Sequence, residues 1–303
     1  MTLITVPCAV CGGSAFDRVY TATISDPDSD PAPYFSSSRL RAGYLPIVRC
    51  RECGLMMTNP RDDDATLARV YAGLEDKVYA AEDDNRRRTA HEHLSLVRTF
   101  RPPPGRLLDV GCATGMFVCA AREAGWEAAG LDASAWAVAY ARQRCPGAKF
   151  VSALLEEAAF PADSFNVITL WDVMEHVRSP AETLQTVRRW LATDGWLFLN
   201  LPNADSGIAK LMGKRWVLLL REHLWYFSPP PMARLLRQNG FELIRTRPNF
   251  VRFSAVNIAG RLAQYPNWLG GLSRSVAGAE VLKRLALRFP MGEMNVVARK
   301  VRD

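Results

Sequence analysis

Between residues 106 and 132 a short apolar strand, a turn of small residues and a helix follow one another, and the next strand ends in a carboxylate. The first strand is Arg106-Leu-Leu-Asp-Val110, the turn Gly111-Cys-Ala-Thr-Gly115 and the helix Met116–Ala124. A glycine turn in this setting lets the backbone approach a ligand closely, and the helix start that follows favours a carboxylate. The second strand, Glu127–Asp132, places Asp132 21 residues after Gly111, where a carboxylate can hold both hydroxyls of a ribose. The alternation continues with helix Ala135–Arg144, strand Lys149–Ala153, strand Phe165–Trp171, helix Ala181–Ala192 and strand Gly195–Leu201. Strands alternating with helices predict a parallel, doubly wound α/β sheet with its site at the carboxyl ends of the strands.

Four of the seven cysteines form two tight pairs, Cys8-Ala-Val-Cys11 and Cys50-Arg-Glu-Cys53. Two such knuckles present four thiolates in the tetrahedral arrangement that Zn²⁺ prefers. Gly12-Gly13 and Gly54 supply the backbone freedom each knuckle needs. A structural zinc ribbon over residues 1–60 is expected. Its metal would supply folding energy that a segment so poor in large apolar side chains lacks. Asp26–Pro33 reads as a turn-rich loop, and Thr66–Tyr71 and Asn85–Phe100 read as helices of a connecting segment, 61–103, that can cover the site. Cys112, Cys119 and Cys145 lie in apolar patterns and read as core residues rather than metal ligands or nucleophiles.

Leu108-Asp-Val-Gly-Cys-Ala-Thr-Gly115 resembles motif I of class I S-adenosylmethionine-dependent methyltransferases, with Ala113 in place of the usual middle glycine. Phe160-Pro-Ala-Asp-Ser-Phe-Asn-Val-Ile168 and Leu191-Ala-Thr-Asp-Gly-Trp-Leu197 resemble the family's entries to its fourth and fifth strands. The resemblance covers about residues 104–202 and implies a seven-stranded sheet whose last strand is antiparallel. Phe241–Arg247 and Met294–Lys300 would be the final pair, within a domain spanning 104–303. It further implies that Asp109, Gly111 and Gly115 hold the methionine end of S-adenosylmethionine, with Cys112 and Trp171 beside them. Asp132 would hold the ribose, and Ala153 and Leu154 would flank the adenine. A nicotinamide-binding domain is the weaker reading, because the third glycine of G-x-G-x-x-G is missing.

After the fourth strand comes Trp171-Asp172-Val-Met-Glu175-His176. On a helix, Asp172, Glu175 and His176 would share one face, which suits a proton acceptor or a metal site. Farther on, Arg221-Glu-His223-Leu-Trp225 offers a second histidine among aromatic residues. Similar pairs of features occur in ubiquinone-biosynthesis O-methyltransferases and in small-RNA 2′-O-methyltransferases, the latter binding a divalent metal. By that resemblance Glu175, His176 and His223 are candidate catalytic residues, and Asp172, Glu175, His176 and His223 a candidate divalent-metal set. The (Asp/Asn)-Pro-Pro-(Tyr/Phe) signature of methylation at planar amino groups is missing, so a hydroxyl acceptor is preferred over nitrogen or carbon.

Of the 38 Lys/Arg and 31 Asp/Glu, residues 203–303 hold 17 and 6, whereas residues 1–100 hold 12 and 14. The basic third attracts acidic partners and keeps open an RNA methyltransferase with the zinc module as RNA-binding part. Nucleic acid is nonetheless disfavoured by the net-negative N-terminal hundred residues. The main expectation is a small-molecule methyltransferase acting on a sugar, lipid-linked intermediate or secondary metabolite. A non-catalytic scaffold that keeps the cofactor fold is the remaining alternative. Insertions at about 203–235 and 250–292 are expected to cap the substrate, with basic apolar helices at Ile258–Tyr265 and Val281–Arg288. No apolar run reaches the ~18–20 residues a membrane span needs, and the start lacks the features of a secretion signal, so a cytoplasmic location is expected.

Overall fold

A computed structural model describes residues 2–26, 29–35, 43–75, 83–254 and 286–302. Seven strands form the central sheet: β6 (Arg106–Val110), β7 (Glu127–Asp132), β8 (Lys149–Ser152), β9 (Phe165–Trp171), β10 (Leu191–Pro202), β12 (Phe241–Ser254) and β13 (Ala286–Lys300). Their order is β12-β13-β10-β9-β6-β7-β8. From β8 to β10 neighbouring strands run parallel, and β13 runs antiparallel to both its neighbours. This is the expected doubly wound sheet with an antiparallel last strand. The predicted final pair is extended at both ends, Phe241 facing Lys300 and Ser254 facing Ala286.

The central strands are apolar on both faces because helices cover both. Leu108, Ile168 and Leu199 point into one core, and Leu107, Val167 and Phe198 into the other. The second core is closed by α2 (Asp83–Phe100), α3 (Met116–Glu123) and α4 (Ala135–Arg144); the first by α5 (Pro180–Trp190) and α7 (Pro229–Gln238). Helix starts follow side-chain chemistry. Ser134 Oγ accepts from the Ala137 amide, and Ser179 precedes Pro180 at the first position of α5.

The cysteine segment is not a bead on a string. β2 (Phe16–Tyr20), β3 (Ile47–Cys50) and β4 (Met56–Thr58) form an antiparallel sheet whose fourth strand is β11 (Trp225–Tyr226), from far along the chain. The short strands β1 (Leu3–Ile4) and β5 (Arg61–Asp62) pair beside it, and α1 (Asp64–Ala72) follows. Cys8, Val10, Leu55 and Leu67 belong to the same buried cluster as Leu108 and Leu199 of the large sheet.

Two expectations need correction. Residues 172–177 do not start a helix. Asp172 has φ +56°, outside the right-handed helical region, and a single turn follows, closed by the His176 amide on the Val173 carbonyl, before α5 begins at Pro180. Ala286–Arg288, expected as the end of a helix, lie in β13, paired with Arg252–Ser254. The helix expected at Ile258–Tyr265 lies outside the described residues. The 203–235 stretch contains α6 (Gly207–Met212), β11 and the first part of α7.

Candidate active site and cysteine centre

A cavity of about 390 Å³ opens across the carboxyl ends of β6, β7 and β9, a volume suited to a small cofactor. Its floor is the glycine turn. Gly111 (φ +72°) tolerates no side chain, since a Cβ there would collide with Val173. Ala113 is held at φ +44°, a conformation that costs a non-glycine residue energy. Asp132 offsets that cost, its Oδ2 accepting from the Ala113 amide at 2.8 Å and its Oδ1 from the Ser134 amide at 2.9 Å. Burial raises the Asp132 pKa, opposed by these two amides. Asp132 lines the cavity together with Gly111, Ala153, Leu154 and Trp171 of the expected cofactor set.

Asp109, Cys112 and Gly115 stand behind that wall. Asp109 is buried, takes a 2.6 Å hydrogen bond from Thr169 Oγ1, and is pushed by burial up to about 7. Cys112 packs under β7, where its Sγ would lie 2.6 Å from a Cβ on Gly130. Gly115 (φ +76°) starts α3 where a Cβ would press on Ala141 and Phe150.

At the cavity wall contributed by the turn after β9, the structure brings Glu175, His176 and His223 together, with ligand-capable atoms within 4.8 Å of one another. The two imidazoles meet edge to face at 4.7 Å. His176 lines the cavity; Glu175 and His223 lie behind it. His176 Nδ1 lies 2.8 Å from the Tyr71 hydroxyl and 2.9 Å from the Glu222 carbonyl oxygen. Burial lowers its pKa to about 4, so the ring is neutral at pH 7. Burial, and then electrostatic coupling to the adjacent His176 ring, hold His223 well below its usual range, and its Nδ1 lies 2.9 Å from the Leu218 carbonyl. Glu175 is forced well upward by burial and then by Asp172, which favours the protonated acid.

Asp172 does not join this group, so the expected four-ligand divalent-metal set is not assembled. The left-handed backbone turns Asp172 toward β10, where it accepts from Asn200 Nδ2. The same Nδ2 lies 3.2 Å from Glu293 Oε2, which also accepts from Asn249 at 2.8 Å. Burial, and then Glu293, push Asp172 up to about 8.

Sequence reasoning missed Tyr71, Arg86 and Glu222, all in the cavity wall. Tyr71 and Arg86 come from α1 and α2, outside any motif, whereas Glu222 sits in the Arg221–Trp225 stretch, where His223 stands out instead. The only hint was that the helices at 66–100 would cover the site.

The four cysteine sulfurs of the first module also lie within 4.8 Å of one another, with Cys8–Cys53 and Cys11–Cys50 at 3.4 Å. The two knuckles repeat one backbone pattern. The Cys8 amide donates to the Gly13 carbonyl and the Gly12 amide to the Cys8 carbonyl; Cys50, Leu55 and Gly54 do the same. Gly12 and Gly54 take φ +74° and +78°. Tetrahedral Zn–S bonds of about 2.3 Å need sulfurs roughly 3.8 Å apart, so the cluster could form a zinc module. As thiols, Cys8 and Cys11 are raised by burial to about 11.

The strand order, the glycine turn and the acid at the tip of β7 define a class I S-adenosylmethionine-dependent methyltransferase. Residues 82–246 match the family model described as "Methyltransferase domain", and the chain belongs to that family. It is similar to the ubiquinone biosynthesis O-methyltransferase of Thiobacillus denitrificans, 30% identical over 163 residues, 49% of this chain and 70% of the relative. The enzyme of that name from Paracidovorax citrulli is 28% identical over 158 residues, 47% of this chain and 65% of its own. The match thus spans about two thirds of the curated relatives' length. Among solved structures, the YcgJ protein from Bacillus subtilis aligns with TM-score 0.51 at 19% identity, covering 70% of this chain and 100% of its own. A chain of the complex between the Haloferax volcanii Trm112 methyltransferase activator and a methyltransferase gives 0.54 at 16%, covering 76% and 100%. These two likenesses show the fold. Among the described residues no helix is long and apolar enough to cross a membrane.

Proposed function

We propose that the chain methylates a hydroxyl of a small-molecule acceptor, with His176 taking the hydroxyl proton and the four cysteines holding a structural Zn²⁺. The observation that carries this is the His176 imidazole in the wall of the cavity that the glycine turn also lines. The names of the curated relatives, O-methyltransferases of ubiquinone biosynthesis, support a hydroxyl as the acceptor group.

S-adenosylmethionine, when bound, supplies an electrophilic methyl group on a sulfonium. Asp132 would hold the ribose hydroxyls, Ala153 and Leu154 the adenine, and Arg86 the carboxylate of the methionine end. Trp171 forms the wall next to the glycine turn. His176, its Nδ1–H donated to the Glu222 carbonyl, keeps a lone pair on the other ring nitrogen for the acceptor's proton. Alignment of the acceptor oxygen contributes most of the rate, and proton removal by a ring whose pKa is held at about 4 adds less than the ~10²–10⁴-fold of a base matched to the working pH. Glu175 and His223 pack behind His176 and restrict its ring.

The test is transfer of an isotopically labelled methyl from S-adenosylmethionine to a panel of sugars, phenols and amines, the product resolved by mass and NMR. An O-methyl product that is lost in His176→Gln supports the proposal. Methylation only on nitrogen or carbon overturns the hydroxyl reading, and full turnover by His176→Gln overturns the assigned proton acceptor.

A further inference from the structure

The segment from Leu220 to Tyr226 passes behind the transfer site, yet it is gripped from the opposite side by the cysteine module. Arg221 is fully buried and reaches Asp62 of β5 with two parallel bonds, Nε at 2.9 Å and Nη2 at 2.7 Å. Asp62 is buried as deeply, and the ring of Tyr34 lies 5.2 Å from the guanidinium carbon. Next along the chain, Thr58 Oγ1 donates to the His223 carbonyl at 2.7 Å and the Thr58 amide to the Leu224 carbonyl at 2.9 Å. Trp225 and Tyr226 then pair with Met57 and Met56. The Glu222 carbonyl faces the other way, to His176 Nδ1, which also meets the Tyr71 hydroxyl, and the Leu224 and Trp225 amides donate to the Glu175 carbonyl on that side. Neither Asp62 nor Arg221 lines the cavity.

We infer that the Asp62–Arg221 pair is a positioning element of the transfer site, anchoring the 220–226 segment on the cysteine module so that the Glu222 carbonyl fixes the orientation and tautomer of His176. The inference rests on the reading of His176 as the proton acceptor. A buried ion pair adds little net stability over well-packed apolar residues of the same volume. What the forked guanidinium–carboxylate contact does add is direction, because two parallel bonds fix the rotation of the segment as well as its distance. The neighbouring Thr58 bonds and the two-residue ladder repeat that register. A shift of the segment would carry the Glu222 carbonyl off Nδ1 and leave the Tyr71 hydroxyl, which can donate to Nδ1 and so favour the other tautomer.

The test uses the full, zinc-loaded chain carrying Asp62→Leu with Arg221→Met, which removes both charges and keeps an apolar fill. The chain has only four histidines, so a two-bond ¹⁵N–¹H correlation, assigned with His176→Gln, reads the His176 nitrogens directly. The expected result is a displaced His176 Nδ1 resonance, an unmoved His91, and an affinity for S-adenosylmethionine within about twofold of wild type, as for a distant site. An unmoved His176 resonance in the folded double variant overturns the inference. If that variant does not fold, Arg221→Lys keeps the charge and loses the fork. The same displacement at smaller amplitude supports the inference, and an unmoved resonance overturns it. Failure of the underlying reading looks different: His176→Gln would then transfer methyl at the wild-type rate while the Asp62 and Arg221 variants still moved the His176 signal.

Discussion

The proposed cofactor half and acceptor half of the cavity are built by different means. The proposed cofactor wall comes mainly from one continuous run, β6 to β8, in which the turn, Asp132, Ala153 and Leu154 lie within 44 positions from Gly111 to Leu154, with Trp171 of β9 and Arg86 of α2 added. The proposed acceptor wall is assembled from α1, the turn after β9 and the loop before β11, so Tyr71, His176 and Glu222 meet across separations of 46 and 105 residues. The local half depends on backbone conformation and a few short-range hydrogen bonds. The distant half depends on what holds remote segments in register: the cysteine module grips one side of the 220–226 segment, and on the other the Glu175 and Val177 carbonyls accept from the Leu224 and Trp225 donors.

Loss of the module should therefore injure one half and spare the other. Cys50→Ser is expected to lower zinc from about one per chain to under a tenth, measured by metal analysis, and to lower the thermal midpoint sharply, since structural zinc contributes about 10 kcal/mol or more to folding of such modules. At a temperature where the variant stays folded, calorimetry should find its affinity for S-adenosylmethionine within about threefold of wild type, as for distant sites. A collapse of affinity would erase the contrast between the halves.

Asp132→Ala should do the reverse. Hydrogen bonds to a charged group contribute about 1.5–3 kcal/mol each, so affinity for the cofactor should fall at least about 100-fold by calorimetry. The zinc content should stay unchanged.

The next effect is pH-dependent. Asp109 keeps its proton in the folded state up to about 7, whereas an unfolded aspartate releases it near 4. Between those values only the folded state holds this proton, so its contribution weakens as pH rises. Asp109→Asn cannot titrate. Its stability relative to wild type should climb by up to about 1.4 kcal/mol per pH unit from pH 4 to 7 and then level off, read from denaturant midpoints. A flat difference would place the carboxylate in contact with solvent. Smaller again is Gly130→Ala, whose Cβ would lie 2.6 Å from Cys112 Sγ and 2.7 Å from the Phe150 ring. Overpacking of this kind costs about 1–3 kcal/mol, a drop of a few degrees in the thermal midpoint.

The same division governs what could be read in advance. Strands 106–110, 127–132 and 165–171 match the sequence reading to the residue, because each is a short apolar run closed by glycine or a carboxylate. The cysteine cluster was equally legible from its spacing. The helix expected at Asp172 failed because nothing local announces the left-handed turn that sends Asp172 to Asn200. Ala286–Arg288 carried a helical pattern, and pairing with β12 overrode it. Tyr71, Arg86 and Glu222 were invisible because their roles exist only once separate elements pack together. The β4–β11 ladder was hidden for the same reason, since two residues are too short to announce a strand.

That ladder has a consequence for synthesis on the ribosome. The outer edge of β4 receives its partner only when residues 225–226 leave the exit tunnel, about 170 residues after β4 itself. At about 5–20 residues per second the nascent chain carries an unpaired strand edge for roughly ten to thirty seconds. Zinc could bind to the four thiols during that interval, well before the transfer site exists. Metal supply would then act on the yield of finished enzyme as a condition of biogenesis, fixed before the first turnover.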